Sequence, residues 1–296
     1  MRFAGIFRAP FGQADVCPDV CNFGAMPRIV IKARRAWLDF KWRELYDFRE
    51  LLLLMAHRDL KVRYAQTFIG ILWGVLQPLT TLLVFTFVFQ RVVRIDTSPT
   101  PYPLFFLSGW CAWAFFALVL KEAGQSLISN AHILQKIYFP RVIVPVSKIY
   151  AAGAEMGIAL VFVLGLMAWY GQPPAWKLLA LPVFILLNVL TALGAGLWVS
   201  AMTIRYRDIL HVVPFVVQVG LYASPVAYPS SLAPEAFRTA YFLNPMAGMI
   251  EGFRWALIAD YPLAPQVWLS VAVGLVLFLS GYLYFNYVER LMADYL

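Results

Sequence analysis

The sequence predicts an all-α polytopic membrane protein with six transmembrane helices, an N-terminal amphipathic interfacial helix and an outer re-entrant helical pair. Hydrophobic residues make up 61% of the 296-residue chain. Charged residues make up 14%, against about 25% in soluble domains. The mean hydropathy is +0.70. A soluble chain of this length has too little interior to bury so much apolar surface, so most of it is expected to lie in a bilayer.

Charge-free stretches mark the six predicted spans, because each reaches the roughly 20 residues that a helix needs to cross the hydrocarbon core. The third span must begin near Val142, since Gly171 to Pro174 is a turn, and Glu155 then lies inside the membrane. We interpret Glu155 as a structural hydrogen-bonded group, with a proton relay as the alternative. The charge-free stretches are 64–90, 97–120, 156–176, 178–204, 209–234 and 261–288.

The distribution of basic residues predicts the orientation. One side of the predicted spans holds 19 of the 24 Lys and Arg residues. The side richer in Lys and Arg is normally cytoplasmic, which also accounts for the net charge of +8 without a nucleic-acid partner. Both termini are therefore predicted to be cytoplasmic.

The chain divides into three segments. Residues 1–35 are predicted to be an irregular preamble, 36–66 a cytoplasmic interfacial amphipathic helix, and 67–296 a six-span transmembrane domain. In the preamble Cys17 and Cys21 form a single C-x-x-x-C pair without a second pair of ligands, so no metal site is predicted.

The interfacial helix combines an apolar stripe with too many charges to span a membrane. It is therefore expected to lie in the interface plane. Its last turns carry cations at headgroup depth, where phosphate oxygens are natural partners. The alternative is that the helix only anchors the first span. The apolar positions are Leu45, Phe48, Leu52 and Met55, and the cations are Arg58, Lys61 and Arg63.

The cytoplasmic segment 126–141 is predicted to contain a short helix from Ser126 to Phe139. Its residues Ile133, Leu134 and Ile137 would be exposed to water in a free loop, so we expect them to insert into a cytoplasmic partner. The alternative is that this helix packs on the interfacial helix of its own chain.

The outer segment 224–265 contains an uncharged run, 239–250, whose 12 residues are too few to cross the membrane but apolar enough to re-enter it. Irregular backbone at that depth is tolerated where protein buries it or a cavity faces it. Asn244 and Pro245 are predicted to open a helix that carries Glu251 and Arg254, whose i, i+3 spacing lets them pair.

The second span carries aromatic rings at helical spacing, deeper than an interfacial belt requires. They are predicted either to stack on sugar rings in a channel or simply to pack the bundle. Three G-x-x-x-G pairs, Gly70/Gly74, Gly153/Gly157 and Gly248/Gly252, favour close helix packing, including packing across a homodimer.

The sequence lacks the patterns of an enzyme. It has no Gly-rich phosphate loop and no catalytic constellation. An ion-coupled carrier would need buried charge pairs, which the sequence hardly supplies, and a membrane-embedded transferase would need a His or Asp cluster at one face.

Five sequence blocks occur in order from about residue 44: RELYDFRELLLLMAHRDLKVRYAQTFIGILWGVLQPL, NAHILQKIYFPRVIVPV, IRYRDILHVVPFVVQ, YASPVAYP and LNPMAGMIEGFRWAL. In these blocks the chain resembles the membrane permease subunits of bacterial ABC exporters for polysaccharides and polyol phosphates, the class that exports O-antigens, capsules and teichoic acids. Residues 1 to about 36 match nothing in that family.

The resemblance implies a multi-pass permease of the bacterial inner membrane that moves lipid-linked, O-antigen-like polysaccharide from cytoplasm to periplasm. It implies a homodimer with two copies of a cytoplasmic ABC ATPase, which binds ATP and Mg, so that this chain carries no cofactor and no catalytic residue. Undecaprenyl-diphosphate-linked glycan and membrane lipid are the other expected partners. The alternatives are capsule, teichoic acid, lipid or drug as cargo and, outside the ABC class, an ion-coupled secondary transporter.

The hypothesis assigns four groups of residues. The substrate headgroup meets Arg58, Lys61 and Arg63. The translocation path contains Trp73, Gln77, Trp110, Trp113, Phe116 and Tyr222. The ATPase-coupling residues are Asn130, Ile133, Leu134, Lys136, Tyr138 and Arg141. The outer gate contains Pro225, Tyr228, Asn244, Pro245, Glu251 and Arg254.

Overall fold

A computed structural model describes residues 46–65, 72–136 and 139–291, and the regular structure within these ranges is helical. The predicted preamble, 1–35, lies outside the described residues. The helices are α1 (Arg49–Ala65), α2 (Trp73–Phe85, continued by a π-helical stretch Thr86–Val92), α3 (Tyr102–Ser129), α4 (Ala131–Leu134), α5 (Ile143–Trp169), α6 (Leu181–Arg205), α7 (Ile209–Ala223), α8 (Glu235–Tyr241), α9 (Pro245–Leu257) and α10 (Val267–Leu291). Short 3-10 turns, Trp176–Ala180 and Ser230–Leu232, precede α6 and α8.

Five helical segments among the described residues are long and apolar enough to cross a bilayer, which confirms a polytopic all-α membrane protein. The third begins at Ile143, as the position of the turn after it predicted. The segments are Gly74–Val92, Tyr102–Ser129, Ile143–Trp169, Trp176–Arg205 and Val267–Arg290.

The predicted span 209–234 is shorter in the structure. Helix α7 has 15 residues, which rise about 22 Å against a hydrocarbon core of roughly 30 Å. It ends because Ser224 is extended, with φ −108° and ψ 151°, the conformation that Pro225 imposes on the residue before it. A sixth crossing therefore stays a prediction.

The centre of the bundle is a row of long helices in which α3 packs between α5 and α6, and α6 packs against α10. Helix α9 packs against α3, α6 and α10. Helices α6 and α10 approach each other closely, because a Cβ on Gly281 would meet the carbonyl oxygen of Gly194. Glycine at both positions removes the side chain that would hold the two helices apart.

Exposed tryptophans mark one membrane surface of the bundle. Trp169 ends α5, Trp176 precedes α6 and Trp268 lies at the start of α10, and all three side chains are exposed. Trp concentrates where hydrocarbon meets headgroups, so the exposure of these three residues suits a membrane surface near the α5–α6 turn.

Helix α1 packs along α5. Leu52 and Met55 are buried and Phe48 is partly buried, as the apolar spacing predicted; Leu45 lies outside the described residues. Leu54 and Val62 are exposed on another face of α1. Apolar side chains on both faces suit a helix at the membrane surface, where one face packs on protein and the other meets lipid.

Candidate functional site

Side chains of α1 connect this helix to the C-terminal end of α3 and to the N-terminal half of α5. Arg58 donates from Nη2 to Asn130 Oδ1 at 2.8 Å and contacts its neighbour Asp59 at 3.1 Å. Asn130 follows the last residue of α3, is 3% exposed, and donates from Nδ2 to the Ser126 carbonyl oxygen at 2.7 Å. Arg58 therefore bonds a side chain whose position is already fixed by its hydrogen bond to the α3 backbone.

Further ion pairs join the same elements. Lys148 Nζ lies 2.6 Å from Asp59 Oδ2, which ties α5 to α1. One turn further along α1, Arg63 bonds Glu122 of α3 at 2.7 Å and also bonds Glu155 of α5. We call this set the polar clamp: Arg58, Asp59, Arg63, Glu122, Asn130, Lys148 and Glu155.

The polar clamp borders an open cleft of roughly 400 Å³ on the side of the bundle where α1 meets α3 and α5. Three of its residues are basic and three acidic, so its charges balance. Lys148 and Asp59 are largely buried, whereas Arg58 is 43% exposed. Balanced, half-buried pairs hold helices in register more than they attract a free anion, because each cation already faces a carboxylate.

At the other end of α3 the side chain of Arg254 is fully buried. Its guanidinium donates to the Phe105 carbonyl oxygen at 3.2 Å and to the Val226 carbonyl oxygen at 2.7 Å, and pairs with Glu251 at 3.3 Å. It also lies 3.6 Å from the centre of the Phe105 ring. The pairing of Glu251 with Arg254 confirms the i, i+3 prediction. One side chain thus joins α3, α9 and the segment after α7.

Other polar contacts fix the same outer segment. Asn244 caps α9, accepting from the Met246 N–H at 3.0 Å, and donates to Ser224 Oγ at 2.8 Å. Pro245 opens α9, as predicted. Tyr228 donates to the Tyr222 carbonyl oxygen at 2.8 Å. These bonds hold the irregular backbone between α7 and α9 in place.

The sequence profile of the ABC-2 type transporter family matches residues 50–258. The chain belongs to this family of membrane permeases. It is 27% identical over 260 residues to an O-antigen export system permease protein RfbA of Klebsiella pneumoniae, covering 88% of this chain and 99% of that protein. It is 30% identical over 239 residues to the RfbA permease of Myxococcus xanthus, covering 79% and 91%. It is 20% identical over 209 residues to the polysialic acid transport protein KpsM of Escherichia coli, covering 69% and 80%.

These relatives are permease subunits and not enzymes, and ABC-2 permeases work with an ABC ATPase subunit. The ATP-driven step therefore belongs to a partner. Among the residues that the structure describes, no group of three or more His, Cys, Asp or Glu side chains is placed to hold a metal ion.

The predicted headgroup residues of the permease differ in their surroundings. Arg58 and Arg63 both belong to the polar clamp and contact carboxylates of their own chain. Lys61 is exposed. A lipid phosphate would have to displace a carboxylate from either arginine, whereas it meets Lys61 without such an exchange.

The predicted coupling helix is shorter than the sequence suggested. Helix α3 continues to Ser129, Asn130 interrupts it, and α4 has four residues, Ala131–Leu134. The break forms because the Asn130 side chain bonds back to the Ser126 carbonyl oxygen, in competition with the helical N–H. The single helix Ser126–Phe139 is therefore corrected, and Tyr138 lies outside the described residues.

Leu134 packs into its own chain. It is 9% exposed and lies in a core cluster with Leu52 and Met55 of α1 and with Phe139; Ile133 packs against the same cluster. This arrangement is the alternative stated from sequence, in which the segment packs on the interfacial helix. The exposed residues of the segment include His132 and Lys136, while the backbone N–H of Arg141 donates to Glu289 at 3.1 Å.

The predicted path residues are split between core and surface. Trp113 is 4% and Phe116 9% exposed, and Trp113 lies against Gly220 of α7, so both serve the packing of the bundle. Trp110 is partly buried and stacks on Phe106 at 5.8 Å. The side chains that are exposed are Gln77 on α2 and Tyr222 on α7; the Trp73 side chain lies outside the described residues.

Sequence reasoning missed most of the clamp partners. Asp59 and Glu122 stand within basic or apolar surroundings, and nothing local shows that their partners lie on α5 and α1. The sequence did indicate one partner: Glu155 lies inside a predicted span, and a charge in the membrane needs an opposite charge beside it. Arg63 supplies it.

Proposed function

We propose that the chain is the transmembrane subunit of an ATP-driven exporter that moves lipid-linked, O-antigen-like polysaccharide across the bacterial inner membrane. The observation that carries this proposal is similarity to O-antigen export permeases along 88% of the chain, which covers 99% of one of them. Both termini are cytoplasmic in this proposal, as the distribution of basic residues predicts.

The polar clamp gives the proposal a mechanism. The ATPase seats on the exposed part of the segment after α3, including His132 and Lys136. Because Arg58 bonds Asn130 and Arg63 bonds Glu122, displacement of that segment moves the interfacial helix together with α3. ATP and Mg are bound by the partner subunit, and this chain transmits the resulting motion.

A homodimer supplies the path for the glycan. Helices α2 and α7 are the least buried of the apolar helices: within their described side chains, Leu82 of α2 and Val213 of α7 are buried. Two copies that meet through these helices would enclose Gln77 and Tyr222. The path then contains the polar group of Gln77 and the aromatic ring of Tyr222, whereas Trp113 is buried in the bundle and does not line it.

The undecaprenyl-diphosphate headgroup enters beside α1. Lys61 provides the first cationic contact, and Arg58 and Arg63 bind the phosphates only when the polar clamp opens. Headgroup binding and clamp opening are thereby linked, because the phosphate and the carboxylates compete for the same two guanidinium groups.

Complementation tests the proposal. A host that lacks its own permease, but keeps the cognate ATPase, should regain polysaccharide display with the wild-type chain, and the ATPase should copurify with it. Asp59→Lys and Lys148→Asp should each abolish display, and the two together should restore part of it, because the swapped pair can still bridge α1 and α5. Complementation by neither wild type nor swap would overturn the assignment.

A second cargo has a specific observation in its favour. The similarity to KpsM, a polysialic acid transport protein, extends over 69% of the chain at 20% identity, which keeps capsule export as the second candidate. Teichoic acid, lipid and drug cargo and ion-coupled transport have no such relative here. Restoration of capsule but not O-antigen display would favour the second candidate.

A further inference from the structure

A second polar cleft lies at the predicted outer face, far from the polar clamp. Its volume is roughly 450 Å³, within the range of small-molecule sites, which measure about 300–1,000 Å³. Three loops and three side chains of the bundle line it. We call it the outer cleft, lined by residues 96–100, 229–231 and 260–266 with Phe105, Arg238 and Glu251.

One wall of the outer cleft is held by its own hydrogen bonds. Asp96 accepts from the Ser98 N–H at 2.9 Å, and Thr97 Oγ1 donates to the Thr100 carbonyl oxygen at 2.9 Å. Hydrogen bonds from the Ser98 backbone and side chain hold the pKa of Asp96 below its ordinary value. The exposed Asp96 carboxylate is therefore ionised near neutral pH and presents acceptor oxygens on a preformed turn.

The opposite walls add the complementary groups. Asp260 is exposed, Ser231 and Gln266 supply both donors and acceptors, and Arg238 supplies guanidinium N–H donors. A lining that contains both donors and acceptors suits a hydroxyl-rich ligand, because each sugar hydroxyl both donates and accepts.

The carboxylates of the outer cleft do not form a cation site. No three acidic, His or Cys side chains among the described residues are close enough together to ligate one metal ion. Glu251 is already paired with Arg254 in the floor. Separated acceptors that alternate with hydroxyls fit an extended polyol better than a compact cation, which needs several oxygens within about 2.6 Å.

The floor of the outer cleft belongs to the Arg254 network. The Tyr261 ring lies 6.2 Å from the Phe105 ring and faces the Glu251–Arg254 pair, and burial raises the pKa of Tyr261 above its ordinary value. A neutral, partly buried phenol presents a flat ring at the base of a polar cleft, which is the arrangement that sugar rings pack against.

We propose that the outer cleft binds carbohydrate: a segment of the glycan that has already crossed the membrane. This inference rests on the proposed export function. It deepens that function by giving the emerging glycan a binding site outside the translocation path. Because the floor contains Glu251, bound sugar contacts the network that joins α3, α9 and the segment after α7.

Binding of lipid-free polysaccharide to the intact exporter tests the inference. The probe is the polysaccharide released by mild acid from the lipopolysaccharide of the host bacterium, and it lacks the headgroup that the cytoplasmic site would bind. Saturation-transfer NMR on the permease–ATPase complex in nanodiscs should show binding to wild type. Asp96→Asn with Asp260→Asn should weaken it at least tenfold, and Ser231→Trp should block it by filling the cleft. Glu235→Gln, which alters an exposed carboxylate outside the outer cleft, should leave the Kd unchanged.

The outcomes separate this inference from the proposed function. If the wild-type chain restores display while polysaccharide binds equally to wild type and to the Asp96/Asp260 variant, the outer cleft is not a carbohydrate site and export stands. If Ca²⁺ alone binds the wild type and is lost in that variant without polysaccharide binding, the site takes a cation and the inference is overturned. Failure of the wild-type chain to restore any display counts against the export function itself.

Discussion

Replacing Arg254 with Met tests whether one buried guanidinium holds the outer segment together. The Arg254 side chain is fully buried and donates to two backbone carbonyl oxygens as well as to Glu251. Met keeps the unbranched stem as far as the position of Nε and removes every donor. Arg254→Met therefore leaves two carbonyl oxygens and one carboxylate without their partner.

The expected cost follows from these contacts. Three hydrogen bonds from a charged donor are worth about 1.5–3 kcal/mol each, and the cation–π contact with Phe105 adds about 2 kcal/mol when desolvated. Burial of the guanidinium offsets several kcal/mol of that sum. The net loss should be roughly 3–5 kcal/mol, the range measured when one partner of a buried ion pair is removed.

Unfolding of the purified permease in mixed micelles measures the cost. Arg207→Met, at an exposed arginine of the α6–α7 loop, serves as the matched control and should change the unfolding free energy by less than about 0.5 kcal/mol. A double variant, Arg254→Met with Glu251→Leu, removes both charges. Its loss should fall short of the sum of the two single losses by about 0.5–3 kcal/mol, because the residues interact directly.

Two results would refute the reasoning. Equal unfolding free energies for Arg254→Met and Arg207→Met would mean that the contacts of Arg254 add nothing net. Strict additivity in the double variant would mean that Glu251 and Arg254 are not energetically coupled, despite lying 3.3 Å apart.

Three further predictions address packing and coupling. Gly281→Val should destabilise the fold by about 1–3 kcal/mol through overpacking against α6, whereas Gly165→Val, where an added Cβ meets nothing, should be nearly neutral in the same unfolding assay. Asn130→Ala removes the acceptor for Arg58 and should cost about 1–2 kcal/mol, with display falling more than ATPase copurification; unchanged display would contradict the clamp mechanism. Lys136→Glu should weaken ATPase copurification at an unchanged melting temperature, and full copurification would place the ATPase contact elsewhere.

Local patterns predicted the features that depend on neighbours in sequence. The burial of Leu52 and Met55 followed from helical spacing, the start of α9 from Asn244–Pro245, and the Glu251–Arg254 pair from i, i+3 geometry. In each case the interaction closes within one or two helical turns, so the sequence itself carries the geometry.

Tertiary contacts were not predictable in the same way. Arg63 meets Glu122 and Glu155, which are 59 and 92 residues further along the chain. Periodicity also could not tell whether Trp113 faces lipid, a channel or the core, because all three positions favour an aromatic side chain. The G-x-x-x-G signal had the same weakness: Gly248 is close-packed, whereas an added Cβ on Gly153 would meet nothing within 4 Å.

Helix α3 connects the two polar networks. Its N-terminal end passes under Arg254 at Phe105 and Gly109, and Glu122 lies nearer its C-terminal end. From Phe105 to Glu122 the helix rises about 25 Å, and most of its side chains are buried against α5 and α6. A helix packed on several sides moves as a rigid body more readily than it bends. Under the proposed function, force that the ATPase applies beyond Ser129 therefore reaches the outer segment through α3 itself. The interfacial helix moves together with α3 as long as the bonds of the polar clamp are intact.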